Sequence, residues 1–392
     1  ISKKMIQIEN IKIKNFNKTK PSKKIKSLLN KLILEDNHII KSLKNTYKDS
    51  WNIKKIQKYR NLTNITLVGM GGSIMGSKSI YSFLRNKIKK NFFFLDNFEN
   101  TKIKEIKKKS KLNLIISKSG NTLETIVNSN VIVNKKVKNI FIIENNKSYL
   151  RSLATKLKSE VIDHNNFIGG RYSVLSEVGM LPAILMGLKV DKFRKFNQLI
   201  KNNFFLNSIV NSVSNTISLT KKNKSNSVIL NYDEHSSDLF YWYQQLIAES
   251  LGKKNKGIFP VVSKMPQDNH SLMQFYLDGA KNNFYTFYFT KEIFSQKINN
   301  QGLLESRIYL KNKNLQNVLY EQFLATQNVF KKKNIPFRSF VVEKRDESTL
   351  GTLFTYFILE TILLGKALKI NPYNQPSVEL IKKETKKRLI KN

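Results

Sequence analysis

Six short apolar runs constrain the fold of this chain more than any other feature of its sequence. They alternate with stretches whose apolar residues recur at helical spacing, as in residues 122–133, 239–251 and 315–330. Strands of this length that alternate with helices favour a parallel sheet covered on both faces. The pattern therefore predicts an α/β fold with parallel sheets. The runs are residues 64–69, 112–117, 139–144, 227–232, 284–289 and 337–342.

The runs form two groups, with a boundary between residues 188 and 206. The opening segment is rich in Lys with scattered Ile and Leu, which predicts an N-terminal helical segment over residues 1–50. We expect a first α/β unit over residues 51–195 and a second over residues 196–392 that ends in a helix. Ligands of such sheets bind beyond the carboxyl ends of the strands, and the unusual residues of this chain follow the strand-like runs.

The positive charge of the chain invites a nucleic-acid interpretation. Lys and Arg number 69 against 28 Asp and Glu, so the formal net charge is +41. Clustered cations release counterions from phosphate backbones. However, Lys, Asn and Ile are abundant throughout, as AT-rich coding sequence produces, and the dense runs at 104–111 and 382–391 are typical of solvated helix faces. Zinc-finger spacing and RNA-binding aromatic signatures are absent. We therefore expect no specific nucleic-acid partner, and the significance of the charge stays open.

The composition also excludes several kinds of site. The chain contains no cysteine, which excludes disulfides, thiolate catalysis and Cys-ligated metals. Its opening residues lack the apolar core of a secretory signal. The apolar stretch 350–364 is too short for a membrane span and is interrupted by Glu360. We expect a cytoplasmic protein without membrane contact.

The first strand-like run leads into a glycine-rich turn over residues 69–77. It does not fit the dinucleotide pattern, because Ile74 occupies the third glycine position. It does not fit the P-loop either, because Ser77-Lys78 stands where Lys-Ser or Lys-Thr is required. A glycine turn that enters a helix can present free N–H groups to an anion. A plain strand-to-helix turn explains the same residues equally well.

The second run leads into a loop that is rich in hydroxyl groups. On one turn and the start of a helix, hydroxyl and backbone N–H groups can donate to phosphate oxygens without a metal. A capping box, with Asn121 as the cap and Glu124 reaching back, is the alternative. That alternative does not account for the hydroxyls outside the cap. The spacing resembles the phosphosugar loop of sugar isomerase domains. The hydroxyls belong to Ser117, Ser119, Thr122 and Thr125.

Four further motifs follow the two loops in order. Residues 169–176 begin Gly-Gly-Arg-Tyr-Ser, and residues 245–253 end Glu-Ser-Leu-Gly-Lys. Residues 267–271 read Gln-Asp-Asn-His-Ser, and residues 373–382 begin Tyr-Asn-Gln-Pro-Ser. These motifs are similar to the two signatures, the catalytic-glutamate helix and the histidine loop of the phosphoglucose isomerase (glucose-6-phosphate isomerase) family. The resemblance implies two αβα sandwich units of the sugar isomerase (SIS) type.

The resemblance also implies a reaction, the interconversion of glucose 6-phosphate and fructose 6-phosphate through an enediolate. It implies Glu249 as the base between C1 and C2, and Arg171 as the charge that stabilises the enediolate. His270 and Lys382 are implied to open the sugar ring, with Glu124 orienting the imidazole. The reaction needs no metal and no other cofactor. The implied substrate contacts are Gly72, Ser73, Ser117, Lys118, Ser119, Thr122, Thr125, Gln245 and Gln375.

The family histidine reaches the site of the neighbouring subunit, so the resemblance implies a homodimer with shared active sites. Taken without their motifs, Glu249 would be a helix-terminal acid paired with Lys253 at i+4, and Lys382 a solvated lysine paired with Glu379. Tyr172 is interpreted as a packing residue. The remaining histidines are interpreted as surface residues: His38, His164 and His235.

The chain departs from the family pattern at four positions, although none removes a group that the reaction needs. Two other functions stay open from the sequence. One is a bifunctional isomerase that also accepts mannose 6-phosphate, and the other is a non-catalytic phosphosugar-binding regulator. The regulator would have no need of the four catalytic side chains together. The departures are Glu177 and Ser377 for small residues or glycine, Ala367 for a larger aliphatic residue, and Asn269 for glutamine.

Overall fold

The structure is a computed structural model that describes residues 6–16, 21–134 and 136–391. Strands and helices alternate along most of the chain, as the apolar runs predict. The strands are β1 (Ile6–Ile8), β2 (Ile11–Lys14), β3 (Asn64–Val68), β4 (Asn91–Leu95), β5 (Leu112–Ile116), β6 (Lys138–Ile143), β7 (Glu160–Asp163), β8 (Asn226–Asn231), β9 (Phe259–Lys264), β10 (Asn283–Thr290) and β11 (Phe337–Val342). The helices are α1 (Lys23–Ile33), α2 (His38–Ser42), α3 (Ile53–Gln57), α4 (Met75–Phe83), α5 (Asn100–Lys109), α6 (Leu123–Ile132), α7 (Tyr149–Lys156), α8 (Glu177–Leu185), α9 (Phe196–Leu199), α10 (Asn203–Thr220), α11 (Ser237–Leu251), α12 (Met273–Asp278), α13 (Leu315–Lys332), α14 (Glu347–Ala367) and α15 (Val378–Lys391).

The first sheet has the strand order β4-β3-β5-β6-β7, and these strands run parallel. Its central strand β5 is buried along its whole length, and β3 and β6 are buried except at their first residues. Helices α4 to α7 connect successive strands, as a parallel sheet requires. The loops that follow β3 and β5 therefore meet at one edge of the sheet, where ligands of such folds bind.

The second sheet has the order β1-β2-β11-β10-β8-β9 and is mixed. The strands from β11 to β9 run parallel, whereas β2 is antiparallel to both β1 and β11. The expectation of a helical segment over residues 1–50 is therefore wrong for residues 6–14, which form a hairpin. Along β2, buried isoleucines alternate with half-buried lysines, which is the period of a strand with one buried face. The hairpin completes the sheet of the second unit.

The apolar runs did not predict β1, β2, β4, β7 and β9, and all of these strands except β2 are sheet edges. β7 ends the first sheet, and β9 ends the second. β9 contains Pro260, and proline within sheets is confined to edges and bulges because it cannot donate to the ladder. β7 begins with Glu160 and ends with Asp163, so only its centre is apolar. Edge strands such as β7 and β9 are covered on fewer sides, so they need no continuous apolar run. The edge strand β4 does contain such a run, residues 92–95, and the sequence analysis missed it.

Helices α4 and α11 pack against each other and join the two units. Ser79 Oγ on α4 donates to Asp238 O on α11 at 2.8 Å. Helix α4 begins directly after the glycine turn that follows β3, and α11 carries Gln245 and Glu249 near its end. The packing therefore brings the carboxyl edge of the first sheet next to a helix of the second unit.

Helix α14 lies in the core of the second unit. By length and composition alone it could cross a membrane, and no other helix of the described residues could; 94% of its apolar window is buried inside the protein. Glu360, which interrupts the apolar stretch, accepts hydrogen bonds from Ser212 Oγ at 2.5 Å and Tyr243 OH at 3.0 Å. It also forms an ion pair with the buried Arg338 of β11. The charge on this helix is thus compensated within the core.

We expect Glu360→Ala to lower the free energy of unfolding by about 3–5 kcal/mol, because the substitution leaves the Arg338 guanidinium buried without its carboxylate. Urea unfolding followed by circular dichroism measures the loss. Glu321→Ala, at an exposed position of α13, is the matched control. Equal stability of the two variants would contradict a structural role for the buried pair.

Candidate active site

The turn after β3 approaches two other segments so closely that only glycine fits. A Cβ on Gly72 would lie 2.1 Å from the carbonyl carbon of Gly170. Gly71 has a φ of +50°, and a Cβ there would lie 2.6 Å from Gln245 Nε2. These glycines therefore allow the turn to contact both the 3-10 helix Gly170–Leu175 and α11. A plain strand-to-helix turn would not require this close approach.

Arg171 connects these segments, and it is only 1% exposed. A guanidinium has five N–H donors, and here all five are engaged. Because the acceptors come from α11 and from residues 372–375, the side chain ties the first unit to two distant parts of the chain. The acceptors are Ser250 Oγ for Nε (2.9 Å), Glu249 Oε2 (3.2 Å) and Gln375 Oε1 (2.6 Å) for Nη1, and the carbonyl oxygens of Pro372 (2.7 Å) and Asn374 (3.2 Å) for Nη2.

Glu249 lies near the end of α11, and its side chain is 30% exposed. One carboxylate oxygen accepts from Arg171, and the other accepts from Gln245 Nε2 at 2.8 Å, one turn earlier on the helix. Gln245 Oε1 is buried and has no hydrogen-bond partner among the described residues. A carboxylate that is held at both oxygens yet partly exposed has a fixed direction and can be reached by a small molecule.

The i+4 ion pair between Glu249 and Lys253 is not formed among the described residues. Lys253 Nζ instead donates to Asn371 O at 2.6 Å and to Asn374 Oδ1 at 3.1 Å. Burial, and then the nearby charge of Arg171, lower the pKa of Lys253 to about 8, against the opposing effect of Glu249. Arg171, Lys253 and Glu249 together place two cations beside one carboxylate, and the resulting net positive charge suits an anionic ligand.

The hydroxyl side chains of the loop between β5 and α6 and the start of α6 differ in solvent exposure. Ser117 and Thr125 are buried, Thr122 is half-buried and Ser119 is exposed. The Ser117 and Thr122 hydroxyls are hydrogen-bonded at 3.0 Å, while Thr125 Oγ1 has no partner in the described part of the chain. Gly120, with a φ of +64°, turns the loop between them. The hydroxyls thus surround one turn, as their spacing predicts.

The alternative capping box is wrong. Helix α6 begins at Leu123, so Thr122 and not Asn121 is the N-cap residue, and its side chain does not cap the helix. Asn121 Oδ1 accepts from Tyr149 N at 3.0 Å, at the start of α7. Glu124 is half-buried in the first turn of α6. Because the Thr122 hydroxyl is directed to Ser117, the N-terminus of α6 lacks a side-chain cap and is suited to an anion.

The two loops lie side by side. A Cβ on Gly69, just after β3, would lie 3.0 Å from Ile116 O at the end of β5 and 3.2 Å from Ser73 Cβ. Ser73 therefore lies beside the strand that leads into the hydroxyl loop. Lys118 Nζ is directed to Asn166 O at 2.7 Å and to Glu144 Oε1 at 3.2 Å. A continuous row runs from the hydroxyl loop through the glycine turn to Arg171.

His270 is not part of this cluster within the single chain. It is exposed in the 3-10 helix Gln267–His270 after β9, and its side chain forms no hydrogen bond or ion pair among the described residues. Asp268 fixes the segment by accepting from Ser263 Oγ and Lys264 N, each at 2.7 Å. The imidazole is thus presented outward on an ordered loop.

Lys382 is exposed on α15, the helix that follows the Gln375 segment. Its alternative pairing with Glu379 falls on a side chain outside the described residues. The dense lysine runs at 104–111 and 382–391 lie largely on α5 and α15, which confirms that they are helical.

Sequence reasoning missed part of the support of the site. Tyr172 is buried, as a packing residue should be, but its hydroxyl also bonds to Ser250 Oγ at 2.8 Å and donates to Pro372 O at 2.9 Å. The position of Ser250, directly after Glu249 in the motif, was the available signal. No spacing rule predicts the carbonyl acceptors near Pro372, about 200 residues away.

The departure at Glu177 has a structural explanation. Glu177 is buried at the start of α8, where it accepts from Tyr47 OH at 2.9 Å and from Asn165 N at 2.5 Å. His164 lies beside it and is also buried, so its interpretation as a surface residue is wrong. Burial lowers the pKa of His164 to about 4, and its Nδ1 donates to Asn165 O at 2.9 Å. The Glu177 carboxylate thus satisfies polar groups of neighbouring segments inside the protein.

The fold has known counterparts among solved structures. A hypothetical protein from Thermus thermophilus superposes with a TM-score of 0.82 at 23% identity, covering 93% of this chain and 94% of that one. A glucose-6-phosphate isomerase from Chlamydia trachomatis superposes with a TM-score of 0.68 at 18% identity, covering 96% and 80%. These similarities confirm the α/β fold with two units of the sugar isomerase type.

The sequence comparisons carry the assignment further. The glucose-6-phosphate isomerase of Methanocaldococcus jannaschii is 30% identical over 96% of this chain and 96% of its own length. That of Mycoplasmopsis pulmonis is 32% identical over 83% of this chain and 82% of its own length. The family model described as phosphoglucose isomerase matches residues 23–264. This chain therefore belongs to the phosphoglucose isomerase family.

Proposed function

We propose that this protein is a cytoplasmic glucose-6-phosphate isomerase, which interconverts glucose 6-phosphate and fructose 6-phosphate through a cis-enediolate. The observation that carries the proposal is the Arg171–Glu249 pair, which is flanked by Gln245 and Gln375 and is continuous with the hydroxyl loop. Family membership supports this reaction, and the adjacent positions of Glu249, Arg171 and the hydroxyl loop support their roles as base, stabilising charge and phosphate site.

Glu249 is the proposed base. Its carboxylate is partly exposed and is held at one oxygen by Gln245 and at the other by Arg171. A base fixed in this way can remove a proton from one carbon of an open-chain sugar and return it to the neighbouring carbon. The two carbons lie about one bond length apart, so one carboxylate serves both without moving far.

Arg171 is proposed to stabilise the enediolate. Its charge is buried, and fixed charges in such surroundings stabilise developing anions without reorganisation. Because all five N–H donors are engaged in this structure, the guanidinium acts on the substrate through its charge, or by exchanging the Gln375 bond for one to substrate. Either action keeps its bond to Ser250, and hence its position beside Glu249.

The hydroxyl loop is proposed to hold the phosphate group. The donors are the uncapped N-terminus of α6 and the loop side chains Ser117, Lys118, Ser119, Thr122 and Thr125. Ser119 and Thr122 lie nearest to solvent. Gly72 and Ser73 are proposed to contact the sugar between the phosphate site and Arg171. This row spans the carboxyl edge of the first sheet.

His270 and Lys382 are proposed to open the ring, with Glu124 orienting the imidazole. His270 is exposed and forms no hydrogen bond or ion pair with Glu249 or Arg171 among the described residues, which supports its action at the site of a second subunit. Leu272 and Phe275, next to it along the chain, are also exposed although apolar. An apolar surface beside an ordered loop favours burial against a partner. We therefore propose a homodimer with shared active sites.

Glu249→Gln should lower turnover by orders of magnitude but leave binding of fructose 6-phosphate nearly unchanged. Loss of a general base lowers turnover by about 10²–10⁴-fold. The new amide oxygen can still accept from Arg171. Its Nε2 can donate to Gln245 Oε1 once the Gln245 amide has turned over, because Gln245 Nε2 faces position 249 in this structure and Oε1 has no partner among the described residues. A coupled assay for glucose 6-phosphate formed from fructose 6-phosphate measures turnover, and the wild-type enzyme in deuterated water should incorporate label at C1 or C2.

Glu321→Gln, at an exposed position of α13, is the control for that experiment. Near-normal turnover of Glu249→Gln would mean that another carboxylate is the base, and Glu124 would then be tested first. Wild-type protein that binds fructose 6-phosphate without converting it would favour the phosphosugar-binding regulator. Mannose 6-phosphate in the same assay identifies the bifunctional isomerase.

Thr122→Val should weaken binding of fructose 6-phosphate by about 1–3 kcal/mol, or roughly 5- to 150-fold. The substitution removes one donor and also leaves the buried Ser117 hydroxyl without its partner. Calorimetry in a Glu249→Gln background measures binding without conversion of the ligand. Thr101→Val, at an exposed position of α5, is the control. Unchanged affinity would show that this loop does not hold the phosphate.

Mixing Glu249→Gln subunits with His270→Ala subunits should restore activity. In a random mixture half of the dimers are mixed, and each mixed dimer has one intact site of two, so recovery approaches about a quarter of wild-type activity. Activity of each variant refolded alone gives the baseline. If subunit exchange is verified by mass spectrometry and activity still does not recover, the sites are not shared.

A further inference from the structure

Lys253 lies two residues beyond the end of α11, a position at which a lysine is ordinarily a solvated cation near the negative end of the helix. Such a lysine needs no partner elsewhere. Here its ammonium donates to Asn371 O at 2.6 Å and to Asn374 Oδ1 at 3.1 Å, and these acceptors lie 118 and 121 residues further along the chain. The contact therefore joins α11 to the connection between α14 and α15.

That connection, residues 371–375, has a direct link to the proposed site. Arg171 Nη2 donates to Pro372 O and Asn374 O, and Arg171 Nη1 donates to Gln375 Oε1. Two cations therefore hold one short segment, Arg171 from the first unit and Lys253 from α11. Between them they engage three carbonyl oxygens and two side-chain oxygens of this segment.

The contacts form a closed ring. Starting from Lys253, it passes through Asn374 to Arg171, then through Glu249 back along α11 to Lys253. Each member is positioned from two sides, so removing one link leaves the others less restrained. The connection carries no acidic side chain between residues 371 and 375, so Lys253 is held by dipoles and does not neutralise a carboxylate there.

We propose that Lys253 is a positioning residue of the active site: its ammonium fixes residues 371–375, and through them keeps the Arg171 guanidinium and the Gln375 amide aligned with Glu249. This inference rests on the proposed isomerase function. It differs from the i+4 pairing that the sequence suggests, since Lys253 acts on Glu249 through the connection and Arg171. The charge of Lys253 also adds to the net positive charge of the proposed site, whose substrate is an anion.

Lys253→Met should lower kcat about tenfold and change KM by less than about threefold. The reason is that small misplacements of groups that act in the transition state affect turnover more than ground-state binding. Lys253→Arg retains a cation with several donors and should recover most of the lost kcat. Lys254→Met is the matched control, because the Lys254 side chain forms no hydrogen bond or ion pair among the described residues.

Hydrogen–deuterium exchange tests, independently of catalysis, whether Lys253 fixes residues 371–375. Amides of residues 371–377 should exchange faster in Lys253→Met than in wild type and in Lys254→Met, while amides of α14 should not change. Unaltered exchange in residues 371–377, or an arginine variant as impaired as the methionine variant, would overturn the proposal. If the wild-type protein had no isomerase activity, the proposed function would fail, and the exchange data alone would still decide the role of Lys253.

Discussion

The rest of the site depends on one buried guanidinium. Arg171 is enclosed where the two units meet, and its five donors find five acceptors from α11 and the connection before α15. A lysine could not replace it, because an ammonium has three donors and lacks the planar fork. The same contacts therefore compensate the buried charge of Arg171 and position the neighbouring side chains of the site, Glu249 and Gln375.

The need to enclose Arg171 explains the glycines nearby. The turn at Gly72 must lie against the backbone of Gly170 and Arg171, so that the carboxyl edge of the first sheet touches the arginine. Any Cβ there would push the glycine turn and the adjacent hydroxyl loop away from the Glu249 carboxylate. The glycines thus set the distance between the hydroxyl loop and Glu249, rather than forming a nucleotide-binding loop.

The corresponding edge of the second sheet carries a cluster of ion pairs. Asp233 after β8 forms an ion pair with Arg345 after β11, and it accepts from Thr290 Oγ1 at 3.0 Å. Arg345 Nε also donates to Glu292 Oε1 at 2.6 Å. At this edge one guanidinium is paired with two carboxylates, those of Asp233 and Glu292, whereas at the first edge two cations, Arg171 and Lys253, accompany the single carboxylate of Glu249. The two similar units are therefore not equivalent, and the proposed chemistry uses the first edge together with α11 of the second unit.

The sequence predicted features that depend on neighbouring residues and missed contacts between residues far apart in the chain. Central strands such as β5 are apolar along their length, and hydroxyls at fixed spacing around Gly120 mark one turn, so both could be read from neighbouring residues. The β1–β2 hairpin was missed because its pairing with β11 depends on residues more than 300 positions away. The partners of Lys253 were not predicted for the same reason, since i+4 spacing says nothing about Asn371. Helical periodicity finds the faces of elements, but it does not find contacts across units.

The specific contacts of the site also limit what the net charge of +41 can contribute to ligand selection. Lys118 is the one cation among residues 117–125, and Glu144 and Asn166 O hold its ammonium. Surface charges further than about 8 Å from a ligand are largely screened at physiological ionic strength. The surface lysines can therefore raise the local concentration of anions, but they cannot distinguish one anion from another. In the proposed function, a phosphosugar is selected by neutral hydroxyl and N–H donors at α6 and by the pair of the buried Arg171 and the partly exposed Glu249. Since neither depends on the surface composition, that composition can drift toward lysine without altering the site.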